Sequence, residues 1–255
     1  MHETFDIIHS TDTPVKNKTE LRLHKEIYPE VAEIIKNNSQ LQDAIKLYKI
    51  ECDEHTVEHV FGDANKSALL ADYLGLDDEH KKYFIQAALL HDIGKTDGQI
   101  GQVVKSRNDK LSEEEIEIIH KHVRKSIDYA RKIGMPDEVL QIIGAHHEEN
   151  NGNSYPRNKD RRKSNENFID EEKRTAEWRK EPSEQIKKII HAFAIIDQFD
   201  ALFYDRSYRK AESTEAGCKI LRDAFRNKED LKMIDLLLEE RQKELASQGK
   251  LAEEK

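Results

Sequence analysis

The sequence predicts an all-α protein. Three observations carry this reading. Apolar residues recur at three- and four-residue intervals almost throughout, no segment sustains strand-like alternation, and capping residues or glycines bracket the periodic stretches. At 255 residues the chain can form one large domain with a substantial core, plus an N-terminal accessory segment.

In chain order, residues 18–50 carry two short amphipathic helices. Leu21, Ile27, Val31 and Ile34 lie near one face of the first, with an interruption at Pro29; Leu41, Ala44, Ile45 and Leu47 mark the second. A long helix starts near Asp53 and stops at Gly75, and another covers residues 78–91. Residues 94–110 hold three glycines and many polar side chains, the composition of a loop. Ser112 then starts a helix, Glu115 completes a capping-box pattern, and the same helix is expected to carry His122. After Gly134 and Pro136 a shorter helix delivers His146 and His147. A charged insertion at about 157–185 has few apolar residues and reads as a flap or a solvated helix. A helix at Ile186 follows, two more at about 213–225 and 230–245 close the domain, and residues 247–255 form a frayed tail.

Charge and composition narrow the function classes. With 42 Lys+Arg against 51 Asp+Glu, the net charge of −9 argues against binding nucleic-acid polymers or membranes through bulk charge. A phosphate ligand would need local groups. No run approaches the roughly 18 apolar residues of a membrane span, and no signal pattern opens the chain, so a cytoplasmic location is expected. Cys52 and Cys218 are read as free thiols of a reducing compartment.

The segment Ala87-Ala88-Leu89-Leu90-His91-Asp92-Ile93-Gly94-Lys95 is the most informative stretch. An apolar helical run ends in a histidine, a carboxylate, a glycine and a lysine. Imidazole and carboxylate together suit a divalent transition metal, and a lysine beyond a helix-ending glycine suits an anionic ligand. The same residues also fit a helix that merely stops at a glycine with polar neighbours.

The ordered series around this box resembles the HD-GYP branch of the HD-domain phosphohydrolases, from about Asp53 to Leu245. The matching segments are Thr56-Val57-Glu58-His59, the His91-to-Lys95 box, Lys110-Leu111-Ser112 before the glutamates leading to His122, and His146-His147-Glu148. Asp197-Gln198-Phe199-Asp200-Ala201-Leu202 and Asp205-Arg206-Ser207-Tyr208-Arg209 complete the series. The resemblance implies an HD-domain helical bundle over residues 53–246. Residues 1–52 fall outside it and read as a helical extension that forms a dimer surface or covers the core.

The resemblance also implies a binuclear site with Fe or Mn as the expected metals. Asp92 would bridge two ions; His59, His91 and Asp197 would hold one, and His122, His146 and His147 the other. His55, one helical turn before His59, is a candidate ligand for a third metal. Adjacent helical side chains diverge by about 100°, so His146 and His147 can converge only where their helix ends. Glu148 and Asp200 are candidate partners for the second imidazole nitrogens.

The implied reaction is phosphodiester hydrolysis by in-line attack of water activated between the two ions. Lys95 would neutralise a phosphoryl oxygen as charge builds there. Tyr155 would shape the substrate wall, and Arg206, Arg209 and Lys210 either hold a second phosphate or form a solvated helix end. The family's usual substrate is cyclic di-GMP, cut to pGpG or GMP, and some members prefer mixed cyclic GMP-AMP.

The chain departs from the family in reading Ser154-Tyr155-Pro156 where Gly-Tyr-Pro is usual, and in having Asn151 where an aspartate is usual. Because ligands lie on helices and substrate choice on loops, another cyclic dinucleotide or a smaller nucleotide stays open. Two other readings stand beside the phosphodiesterase: a noncatalytic nucleotide-binding or protein-interaction module, and a di-iron oxygenase on the same metals.

Overall fold

A computed structural model describes residues 27–105, 112–146, 181–204 and 211–247. Every regular element among the described residues is helical. His147, Tyr155, Arg206, Arg209, Lys210, the Ser154 loop, most of the charged insertion and the tail lie outside these segments.

Local chemistry fixes the starts of most helices. Helix α1 (Pro29–Lys36) has proline in its first turn. That position suits proline, because the missing N–H has no intrahelical partner there anyway. Pro29 therefore begins a helix. Asn38 caps α2 (Ser39–Glu51), Asp53 caps α3 (Glu54–Tyr73), and Asp77 caps α4 (Asp78–Leu90), each accepting a backbone N–H of the first turn. Gly75 ends the α3 segment at φ +64°, a left-handed conformation for which glycine carries no Cβ penalty.

The stretch expected to be a loop is largely ordered. Ile93–Thr96 form a 3₁₀ turn, and Gly98–Lys105 form α5. Ile100 and Val104 are buried with Ile119 in a small satellite cluster, and burial of that spaced apolar face outweighs the low helix propensity of Gly98 and Gly101.

Ser112 and Glu115 form the expected capping box at the start of α6 (Glu113–His120). This helix does not carry His122. The chain tightens at Lys121, whose N–H reaches Ile118 at 3.2 Å, and His122 opens a new helix, α7 (His122–Lys132). Helix α8 (Asp137–Ala145) then ends on His146. Helices α9 (Glu184–Phe203), capped by Ser183, α10 (Thr214–Ala224), capped by Ser213, and α11 (Lys228–Ser247) complete the described chain.

One continuous core joins α1 to α4 with α7 to α11. Helices α3, α4 and α9 are its centre and bury residues around much of their circumference, as central helices must. Val31 and Ile35 of α1 and Leu41, Ala44 and Tyr48 of α2 belong to the same core, so the described N-terminal helices cover it directly. No described helix is long and apolar enough to cross a membrane.

Candidate metal centre

Five elements deliver imidazoles and carboxylates to one buried locus. His59 comes from the second turn of α3, Asp197 from α9, His122 from the first residue of α7, and His91 and His146 from the C-terminal caps of α4 and α8. Helix ends matter because a cap residue leaves the steady helical rotation, so side chains from several axes can meet. His59, His91, His122 and His146 are all at least nine-tenths buried, and the ring of Phe193 packs edge-on to His91 at 5.2 Å.

Asp92 lies at the centre, 1 % exposed. Its Oδ2 is 3.4 Å from His91 Nε2 and 3.5 Å from His59 Nε2, while its Oδ1 is 3.3 Å from His122 Nε2. One carboxylate thus presents separate oxygens to two histidine sets. The potential ligand atoms fall into two groups, each lying within 4.8 Å of one another: His59, Asp63, His91 and Asp197 in the first, and Asp92, His122 and His146 in the second.

The other ring nitrogens are committed outward. His91 Nδ1 pairs with the Ala88 carbonyl at 2.8 Å, His122 Nδ1 with that of Ile119 at 2.7 Å, and His146 Nδ1 with that of Ile143 at 2.6 Å. His59 Nδ1 pairs with Asp200 Oδ2 at 2.6 Å. Donation from Nδ1 leaves each Nε2 as a lone pair facing inward. The Nε2 atoms of His59 and His91 then face each other at 3.2 Å. Two lone pairs at that distance repel unless a proton or a cation lies between them, so the donor set fits divalent metal ions.

The electrostatics divide the rings. Burial opposes charge on His91, but the adjacent Asp92 carboxylate wins and pushes its pKa up to about 9. Burial pushes His122 down to about 3 and His146 down to about 4, which keeps both neutral. Burial would raise Asp92, yet Lys95, His91 and His122 hold it well below the usual carboxylate range. The Lys95 ammonium is 2.5 Å from Asp92 Oδ2.

The turn that sets this arrangement depends on Gly94. A Cβ there would stand 2.1 Å from the His122 carbonyl oxygen, so only glycine lets the Asp92 turn approach the start of α7. The Gly94 N–H donates to Ser126 Oγ at 2.9 Å, which ties the same two elements together.

The structure brings His59, His91, Asp92, Lys95, His122, His146 and Asp197 together, and Asp200 takes the partner position expected of it. His55 is exposed and joins neither group. It lies on the first turn of α3, where its side chain meets solvent before the helix enters the core. Cys52 also stays outside both groups, and burial pushes its thiol up to about 12, as suits an inert half-buried thiol. His80 and His191 instead pair with Asp77 and Asp230.

Sequence reasoning missed Asp63 and Lys66. Lys66 is 5 % exposed and donates to Asp200 Oδ1 at 2.8 Å, so Asp200 is shared between an ammonium and the His59 imidazole. The available signal was their spacing: His59, Asp63 and Lys66 share one helical face among Ala64, Ser67 and Ala68.

The HD domain family model matches residues 56–202, more than half of the chain and all of the described site. The chain belongs to the HD domain family. The HD domain here is 25 % identical over 155 residues to the 3′3′-cGAMP-specific phosphodiesterase 3 of Vibrio cholerae, covering 61 % of this chain and 28 % of that protein. It is 28 % identical over 177 residues to the cyclic di-GMP phosphodiesterase response regulator RpfG of Xanthomonas campestris, covering 68 % and 40 % respectively. Ribonuclease Y of Lactobacillus gasseri is 30 % identical over 130 residues, 51 % of this chain and 19 % of that protein. The chain thus spans less than half the length of these curated relatives.

Proposed function

We propose that this HD domain is a metal-dependent phosphodiesterase of the HD-GYP type that hydrolyses a cyclic dinucleotide, with cyclic di-GMP cut to pGpG or GMP as the leading substrate. The observation that carries the reading is Asp92, whose two oxygens face two histidine sets while Lys95 stands beside them. His59, His91 and Asp197 would hold one divalent ion, and His122 and His146 the other, with His147 outside the described residues as its further ligand. The bound ions would supply an activated water and draw charge from the phosphoryl group.

The chain's own residues supply the remainder. The Nδ1 hydrogen bonds fix the imidazole tautomers and orient each ring before any ligand arrives. Lys95 is partly exposed, and its flexible stem lets it turn from Asp92 to a phosphoryl oxygen. Phe193 and the core behind it exclude water from the inner side, which strengthens charge interactions within the site. Iron or manganese is the expected metal, since imidazole with carboxylate suits either.

Two relatives named for cyclic-dinucleotide phosphodiesterase activity support this substrate class, and the ribonuclease Y relatives make a linear RNA the natural competitor. Mn(II)- or Fe(II)-loaded protein, prepared without oxygen, is incubated separately with cyclic di-GMP, 3′3′-cyclic GMP-AMP and a short RNA, with Asp92→Ala protein as control. Linear dinucleotide or mononucleotide from a cyclic substrate with the intact protein alone is the expected result. Cleavage of RNA only would replace the substrate class, and intact substrates in the presence of bound metal would favour the noncatalytic module.

A further inference from the structure

The fully buried Asp63 is left unexplained by the two histidine sets. Its side chain is 0 % exposed, and neither carboxylate oxygen has a hydrogen-bond partner among the described residues. The two nearest basic groups lie closer to Asp200 than to Asp63, so they offer Asp63 charge at a distance and no hydrogen bond. His59 Nδ1 is 3.7 Å from Asp63 but bonds Asp200 at 2.6 Å, and Lys66 Nζ is 3.9 Å from Asp63 but bonds Asp200 at 2.8 Å. A carboxylate removed from water without hydrogen bonds is strongly disfavoured unless a cation or a proton compensates it.

Its position identifies the cation. Asp63 lies one helical turn after His59 on α3, and its ligand atom falls within 4.8 Å of those of His59, His91 and Asp197. We propose that Asp63 is a further protein ligand of the first metal ion, joining His59, His91 and Asp197. This inference rests on the two-metal reading above. It changes the chemistry of that half, because a second terminal carboxylate makes the site richer in oxygen. Oxygen-rich sites with more than four protein ligands suit Mn(II) or Fe(II) over a tetrahedral Zn(II).

Lys66 gains a defined task from the same arrangement. By engaging Asp200, it keeps that carboxylate on the Nδ1 side of His59 and leaves Asp63 available to the ion. Asp63 and Asp200 both lie near the Nδ1 edge of His59, and of the two only Asp200 bonds that nitrogen, which leaves the Asp63 oxygens open to the ion.

The test is a Mn(II) titration of the metal-free full chain, with free Mn(II) followed by electron paramagnetic resonance, on wild type, Asp63→Asn, Asp63→Glu and His122→Ala. Wild type is expected to bind two ions. Asp63→Asn should weaken one of them by about tenfold to a hundredfold, the range that supporting groups of metal sites command, and leave the other unchanged. Asp63→Glu should recover part of the loss, and Asp63→Asn should lower the preference for Mn(II) over Zn(II) in competition. His122→Ala should weaken the other ion.

Thermal melting separates ligation from folding. Metal-free Asp63→Asn should melt no lower than metal-free wild type and should gain less on adding Mn(II). If Asp63→Asn binds both ions as wild type does, Asp63 is a buried neutral acid and the inference fails while the two-metal reading stands. If Asp63→Asn lowers metal-free melting as much as metal-loaded melting, its role is structural and the inference also fails. Wild type that binds no Mn(II) would overturn both.

Discussion

The two halves of the centre are built differently. Around the first group, His59 is backed by the Asp200 carboxylate, Asp200 by the buried Lys66 ammonium, and Asp63 lies alongside. Around the second, His122 and His146 pair with the carbonyls of Ile119 and Ile143, one turn earlier, as His91 of the first group does with that of Ala88. The first half is tuned by charge carried on the long helices α3 and α9. The second is tuned by where helices begin and end. Asp92 joins the two, since its oxygens are divided between them.

The largest expected effect removes that junction. Asp92→Ala should lose metal in both halves and lower hydrolysis by roughly a thousandfold, the scale of several kcal/mol of transition-state stabilisation. Elemental analysis and product chromatography check it together. Retention of one tightly held ion would show that one half assembles without the shared carboxylate.

Breaking the charged support comes next. Lys66→Met leaves Asp200 buried without its ammonium, which destabilises by about 3–5 kcal/mol when a buried pair is broken. Burial disfavours the Lys66 charge, but Asp200, Tyr204 and Asp63 overcome this and raise its pKa above the ordinary lysine value. Urea denaturation reads the stability, and a Mn(II) titration should show the loss concentrated in the first ion. Equal weakening of both ions would erase the distinction between the halves.

Gly94→Ala tests the second half. The added Cβ must displace the His122 carbonyl or the turn, because the 2.1 Å approach is to backbone that cannot rotate away. Overpacking of this kind is expected to destabilise by about 2–3 kcal/mol, and the second ion should weaken more than the first. A fully stable variant with both ions intact would show that the turn has slack.

The smallest effect is the pH dependence of the metal-free protein. His122 and His146 are held at about 3 and 4, below their ordinary value, so the unfolded chain binds more protons below pH 6.5 and stability falls as pH drops through that range. Asp63, pushed up to about 6 by burial, opposes this only partly, since its folded form is the better proton binder between its ordinary value and 6. His91 has the opposite sense. Its folded value of about 9 gives stability that is full below pH 6.5 and is lost as pH rises through 9. Metal-free protein should therefore be most stable near pH 6.5, falling by roughly 1 kcal/mol per pH unit on either side. Denaturation curves between pH 5 and 9 would show it, and stability rising steadily from pH 6.5 to 9 would contradict the His91 assignment.

This division also explains what the sequence made legible. The caps at Asp53, Asp77 and Ser112 are local chemistry and were readable, as were the histidines and aspartates that the family resemblance placed in order. The break at Lys121 was not, because nothing in Ile119-His120-Lys121-His122 disfavours a continuous helix; the break falls where α7 meets the turn at Gly94. The loop expected after Gly94 gave glycines too much weight against the spaced Ile100 and Val104. Asp63 and Lys66 escaped for a different reason. Charged residues on a helix usually face water, and their burial is decided by Asp200, far away on α9. His55 shows the converse, since sharing a face with His59 did not bring it into the core.

The most direct test of the two-metal centre is the electron paramagnetic resonance spectrum of the full chain loaded with Mn(II) to saturation, with the ion count measured on the same sample. Two ions sharing the Asp92 carboxylate should give an exchange-coupled spectrum and two equivalents of Mn(II) per chain, and both features should vanish in Asp92→Ala. A single uncoupled Mn(II), or a spectrum indifferent to Asp92→Ala, would contradict the account.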